Sequence, residues 1–243
     1  MVLALLRKSG RDADADAYLA GHMKNTAIRE QAIKQAFEQG DLQKAGDLAR
    51  EGIRYDQKDK PGLADNWVEW LMKIALKQKD RETVITHARY LFNQPNRDHQ
   101  QYYKILKSQI DAGEWPSFID GLIKQITGKG RWIDSHLLAW LCIQEERWET
   151  LLDVISRNFS LHGIKEYEPY LSGRYPLELA GLYKRGILEL LERATGRNHY
   201  QEATQYIRRM KKMGAVAQAE DLVKHLQQKY PQRRALLEEL ERI

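Results

Sequence analysis

Cysteine is nearly missing from this sequence. Of 243 residues only Cys142 carries a thiol, which excludes an internal disulfide framework and a zinc site built from thiolates alone. Such usage implies a reducing compartment. Proline and glycine are also scarce, at 6 and 16, too few to punctuate the many hairpins of an all-β chain. With 30% charged residues, the expected class is all-α. Long apolar runs are lacking as well: the longest uncharged one, SHLLAWLCIQ from Ser135 to Gln144, has ten residues, half of the ~20 that span a bilayer. The opening MVLALLRK is shorter than a signal peptide and has no cleavage site, so the chain is expected to be soluble and cytoplasmic. Neither charge sign dominates. The surplus of +5 arises entirely in residues 184–243, with 13 Lys+Arg against 8 Asp+Glu, whereas residues 1–183 balance at 26 against 26.

What the sequence does contain is a recurring phrase. In QIDAGEWPSFIDGL, Trp115 follows a glycine and an acid and precedes apolar residues three, four and seven places on: Phe118, Ile119 and Leu122. That spacing is one stripe of an α-helix. Trp148 repeats it with Leu151, Leu152 and Ile155, and Tyr200 with Ala203 and Ile207. Fainter copies start at Leu42, leading to Ala45 and Ala49, and at Arg81, leading to Val84, Ile85 and Ala88. Ten places upstream stand Ala32, Leu71, Ile105, Leu138 and Leu190; six places upstream stand Ala36, Ala75, Gln109, Cys142 and Ala194. A helix with a small residue near its end and a two- or three-residue junction is followed by a helix folding back on it. A lone helical hairpin leaves apolar surface wet, so neighbouring hairpins must stack. Trp115 is thus expected to pack at the hairpin turn against both helices of its unit.

The spacings between successive phrases are 39, 34, 33 and 52, against a tetratricopeptide period of about 34. These observations predict a single helical-repeat domain over 1–243, a right-handed α-solenoid of about six or seven antiparallel hairpins. A hinge or insertion is expected at 157–175, where the long last spacing falls and FSLHGIKEYEPYLSGRYP looks like a short helix between turns. Further breaks are expected at DQKDKPG, at FNQPNRD and at GKG, which holds Lys129 and Gly130.

The tetratricopeptide pattern has an aromatic residue opening the second helix and an alanine three later. The chain is similar at Leu42/Ala45 and Tyr200/Ala203 and departs at Trp115 and Trp148, which are followed by Phe118 and Leu151. TAIREQAIKQAFEQGDLQKAGDLAREGI near the start, with RNHYQEATQYIRRMKKMG and HLQQKYPQRRALLEELERI at the end, resembles the helical region following the zinc finger in bacterial SWIM zinc-finger proteins. The Cys-x-Cys and Cys-x-His ligands of that finger are absent from the sequence. The resemblance implies the C-terminal part of such a protein, with interaction rather than chemistry as its role.

Chemical signatures are few. In DADAD, Asp12, Asp14 and Asp16 alternate as in a calcium loop, but the sixth and twelfth places hold Ala17 and Met23, and acids in a helix's first turn are favoured by its dipole without any metal. The seven histidines never take helical metal-ligand spacing with one another. Cys142 stands at a place occupied by alanine in three of the other copies, as a packed thiol would. No phosphate-binding glycine loop, dinucleotide fingerprint or nucleophile elbow occurs. A non-enzymatic chain without cofactor is expected.

Two binding surfaces are candidates. Eight places before the first four anchors stand Lys34, Lys73, Lys107 and Trp140. In tetratricopeptide-like arrays this face of the first helix lines the concave groove, so the likeness adds Lys77, Tyr103, His136 and Gln144 to a site for an acidic or C-terminal peptide. Glu30 with Lys34 and Glu69 with Lys73 are also favourable i,i+4 pairs that need no ligand. The alternative is nucleic acid, bound through the phosphates by Arg208, Arg209, Lys211 and Lys212. A solvated helix face would carry the same charges.

Overall fold

The computed structural model describes residues 2–95, 97–128 and 135–243, with backbone alone at 3, 4, 7, 12 and 16. The expected break at Lys129 and Gly130 lies outside the described residues. Among the described residues the chain is all-helical, with α1 (Val2–Lys8), α2 (Asp12–His22), α3 (Thr26–Glu38), α4 (Leu42–Asp56), α5 (Pro61–Gln78), α6 (Arg81–Phe92), α7 (His99–Gln109) and α8 (Trp115–Thr127). There follow α9 (Ser135–Gln144), α10 (Trp148–Arg157), α11 (Leu161–Leu171), α12 (Pro176–Arg193), α13 (Arg197–Lys212), α14 (Val216–Lys229) and α15 (Arg234–Leu240). They gather into two compact units, residues 1–122 and 123–243, and the division falls within α8.

One turn geometry recurs. Among the described residues five have positive φ: Gly10 (73°), Gly40 (82°), Lys79 (60°), Glu146 (53°) and Gly214 (98°). Each stands two places before the first residue of the next helix. In each, the following amide reaches the carbonyl five residues back: Arg11 to Leu6 (2.9 Å), Asp41 to Ala36 (2.9 Å), Asp80 to Ala75 (3.0 Å), Arg147 to Cys142 (2.8 Å) and Ala215 to Met210 (3.0 Å). This bond satisfies a carbonyl that the ended helix leaves open and turns the chain at once into the next one. Side-chain caps then start the helices. Asp41, Asp80 and Asp98 accept from the amides of Lys44, Thr83 and Gln101, and Asn25 and Ser160 do the same for α3 and α11. Pro61 and Pro176 open α5 and α12, where a missing N–H costs nothing.

Four of the five recurring anchors, Leu42, Arg81, Trp115 and Trp148, are the first residues of α4, α6, α8 and α10. The fifth is displaced. Tyr200 is the fourth residue of α13, behind an extended break with Ala194 and Gly196 in β conformation, and the recurring turn comes later, at Gly214. Any amphipathic helix start carries the same apolar spacing, which is why Tyr200 imitates the phrase. The next helix start behind this turn geometry is Val216, 68 residues after Trp148. Segment 157–175 holds α11, which packs on α12. Gly186 makes that approach possible, since a Cβ there would lie 2.6 Å from Leu161 and 2.9 Å from Phe159.

Within unit 1 the helices from α1 to α7 pack each on the next. Ile33, Ala36, Ala45, Ala49, Trp67 and Ile74 form a dry cluster. The Trp67 ring lies on Gly52 and its Nε1 donates to Asp56 (2.8 Å), which also receives Arg29 (3.0 Å). Arg29 is fully buried and donates further to the Met23 carbonyl. Within unit 2 the helices from α9 to α14 again pack each on the next, and α15 lies against α13. There Leu236 and Leu240 are buried, and Glu239 is held by Arg197 (3.3 Å) and Arg242 (3.2 Å).

Candidate functional site

The first helices of three hairpins in unit 1, α3, α5 and α7, carry Lys34, Lys73 and Lys107 at equivalent places. Lys34 is exposed and lies 3.9 Å from Glu38 rather than beside Glu30. Lys73 lies 2.8 Å from Glu69, as the spacing suggests, and 5.0 Å from the centre of the Trp70 ring. Lys77 donates to the Phe37 carbonyl (2.9 Å) and sits 4.4 Å over the Phe37 ring. Phe37 meets Trp70 edge-on at 5.7 Å, so α3 and α5 bring two cations and two aromatic rings into one cluster. On α7, Lys107 donates to the Tyr103 hydroxyl (3.0 Å) and lies 5.3 Å from the Tyr103 ring and 5.6 Å from Trp115. Trp115 in turn packs on Tyr103, the contact across the hairpin that its position implies. Cation–ring contacts at exposed sites are worth about 0.5–1 kcal/mol each. They also hold the ammonium groups at the surface instead of letting them sweep freely.

A polar frame adjoins the first cluster. Glu69, the partner of Lys73, also holds Arg97 (3.3 Å), which bonds Asn66 (2.7 Å) and the Gly62 carbonyl (3.1 Å). Tyr102 on α7 is buried, and burial, reinforced by the Glu69 charge, pushes its phenol up to about 12. Tyr90 donates to Asp65 (2.8 Å), and burial together with that bond pushes it up to about 12 as well. The remaining three sequence-predicted groove residues lie in unit 2, on α9. His136 and Gln144 are exposed and Trp140 is half-buried. His136 borders a cavity of about 120 Å³ lined also by Asn158, Ser160, Glu166 and Tyr167. The sequence reading missed Phe37 and Trp70, although Trp70, Lys73 and Lys77 stand at the spacing of one helical stripe.

Three of the four basic residues proposed on α13 have partners within the chain. Arg209 pairs with Glu168 (2.8 Å), whose other oxygen accepts from Tyr183 (2.6 Å). Arg208 and Lys211 reach the carbonyls of Arg242 (3.3 Å) and Ile243 (3.5 Å), while Lys212 is exposed. The pattern is general: Lys77 reaches the end of α3, Arg233 the Leu191 carbonyl near the end of α12 (2.6 Å), and Arg81 the Gln109 carbonyl together with Asp111 (3.0 Å). Cations at open carbonyl ends gain from both hydrogen bonding and the helix dipole.

Cys142 is buried, and burial pushes its thiol up to about 11, so it is protonated at neutral pH. Asp14 of the DADAD run pairs with Arg11 (2.7 Å), and the side chains of Asp12 and Asp16 lie outside the described residues. Among the described residues no three His, Cys, Asp or Glu side chains gather to hold a metal ion, and no helix is long and apolar enough to cross a membrane. Comparison with protein-family models, with curated proteins and with solved structures finds no match for this chain.

Proposed function

We propose that the chain is a non-enzymatic scaffold, a right-handed tetratricopeptide-like solenoid whose first helices present a groove to an acidic peptide segment of a protein partner. The observation that carries this reading is that Lys73 and Lys77 of α5 and Lys107 of α7 are held over the rings of Trp70, Phe37 and Tyr103, with Lys34 exposed at the equivalent place on α3. An acidic side chain would find ammonium groups there, and an apolar neighbour would find Phe37 and Trp70. On the SWIM-family resemblance, the array would act as the interaction arm of a larger, cytoplasmic zinc-finger protein. The alternative is nucleic-acid binding through Arg208, Arg209, Lys211 and Lys212, where among the described residues no aromatic rings stand beside the cations as Phe37 and Trp70 do beside Lys73 and Lys77.

The test uses a fluorescein-labelled peptide of alternating Glu and Phe, read by anisotropy against the same peptide with Lys in place of Glu. Neutralisation is preferable to reversal, since Lys73→Glu would set a second carboxylate against Glu69 and disturb Arg97. The triple variant Lys34→Gln, Lys73→Gln, Lys107→Gln is expected to weaken the acidic peptide about ten-fold, at about 0.2–1 kcal/mol per exposed charge, with the melting temperature nearly unchanged. Equal affinity for the two proteins, or for the two peptides, removes the proposal.

A further inference from the structure

We infer a second binding site, distinct from the groove, for a small amphiphilic carboxylate: an anionic head on an apolar group of six to eight carbons. The site is a cavity of about 180 Å³ in unit 1, between α2, α3 and α4. Its lining is graded. Leu19, Ala32 and Ala36 form a buried floor, Met23 and Leu48 half-buried walls, and Gln39 and Lys44 an exposed rim. An apolar cavity of ~150 Å³ in a protein core stays dry and takes up benzene, so this one matches a ring or a short branched chain in size.

The rim defines the charge of the ligand. Lys44 is the only ionisable residue among those lining the cavity. It stands in the first turn of α4, where the helix dipole disfavours a cation, and among the described residues it makes no ion pair. The two acids nearest in sequence are both engaged: Asp41 caps α4 through the Lys44 amide (3.0 Å), and Asp47 pairs with Arg50 (2.8 Å). An anion held at the rim would meet the Lys44 ammonium and the Gln39 amide while its apolar group fills the floor, so a carboxylate satisfies both ends of the gradient.

The probe is 4-fluorophenylacetate, followed by ¹⁹F NMR with the intact chain, beside the neutral 2-(4-fluorophenyl)ethanol. Saturable binding with a Kd on the order of 1 mM is expected for the acid, the affinity usual for a ligand of this size. Lys44→Gln is expected to weaken the acid about ten-fold and leave the alcohol unchanged, since only a charge-assisted contact is lost. Leu48→Phe, at a half-buried wall, is expected to abolish binding of both while the circular dichroism spectrum is kept. A wild-type chain that does not saturate with the acid up to about 10 mM, or a Lys44→Gln chain that binds it as tightly as wild type, overturns the proposal. Neither outcome bears on the groove, whose lysines lie elsewhere.

Discussion

Single residues carry much of the packing, and Gly52 is the sharpest case. A Cβ at this position would stand 2.8–2.9 Å from three atoms of the Trp67 ring, which is itself fixed by its bond to Asp56. Gly52→Ala is therefore expected to cost about 1–3 kcal/mol in urea denaturation. Gly62→Ala, with nothing within 4 Å, should gain up to about 1 kcal/mol from helix propensity. A stable Gly52→Ala would mean that the ring does not sit where described. Two phenols with raised pKa, the buried Tyr102 and the more exposed Tyr90, make a second prediction. Tyr90 and Tyr102, both raised to about 12, stay protonated while the unfolded chain ionises near 10. Their contribution is thus intact below pH 10 and is lost as pH rises from 10 to about 12. Tyrosinate absorbance should show a class that titrates late, and stability should fall over that window. None of this was legible in the sequence. Arg29 and Asp56 lie 27 residues apart, and nothing in local periodicity marks two charges for burial together.

At the level of elements, the legible part was the helical stripe and the short junction. Leu42, Arg81, Trp115 and Trp148 were placed at helix starts because apolar spacing and junction chemistry agreed. Tyr200 was misplaced because only the stripe was present there, without the turn. The recurring left-handed residue explains the difference and yields a prediction. Gly10, Gly40 and Gly214 take positive φ at no cost, whereas Lys79 and Glu146 adopt it with a Cβ. Lys79→Gly is expected to raise stability by about 0.5–1 kcal/mol, the relief of the left-handed strain outweighing the added freedom of the unfolded chain. A loss of stability in thermal denaturation would show that the turn does not hold its described geometry.

For the whole molecule, the all-helical class followed from what the composition lacks. The grouping of contacts into residues 1–122 and 123–243 was not legible, because the division falls within the continuous helix α8 and no composition change marks it. Of the positive charge near the C-terminus, Arg208 and Lys211 reach the carbonyls of Arg242 and Ile243 beyond α15, which packs on α13. The lysine and aromatic face of unit 1 is the surface proposed for a partner. Hydrogen–deuterium exchange, resolved by peptide fragments, tests that assignment most directly when the acidic peptide is added. Protection confined to fragments covering Lys34, Lys73 and Lys107 is the expected result. Protection on α13 to α15 instead, or none anywhere at saturating peptide, would contradict the account.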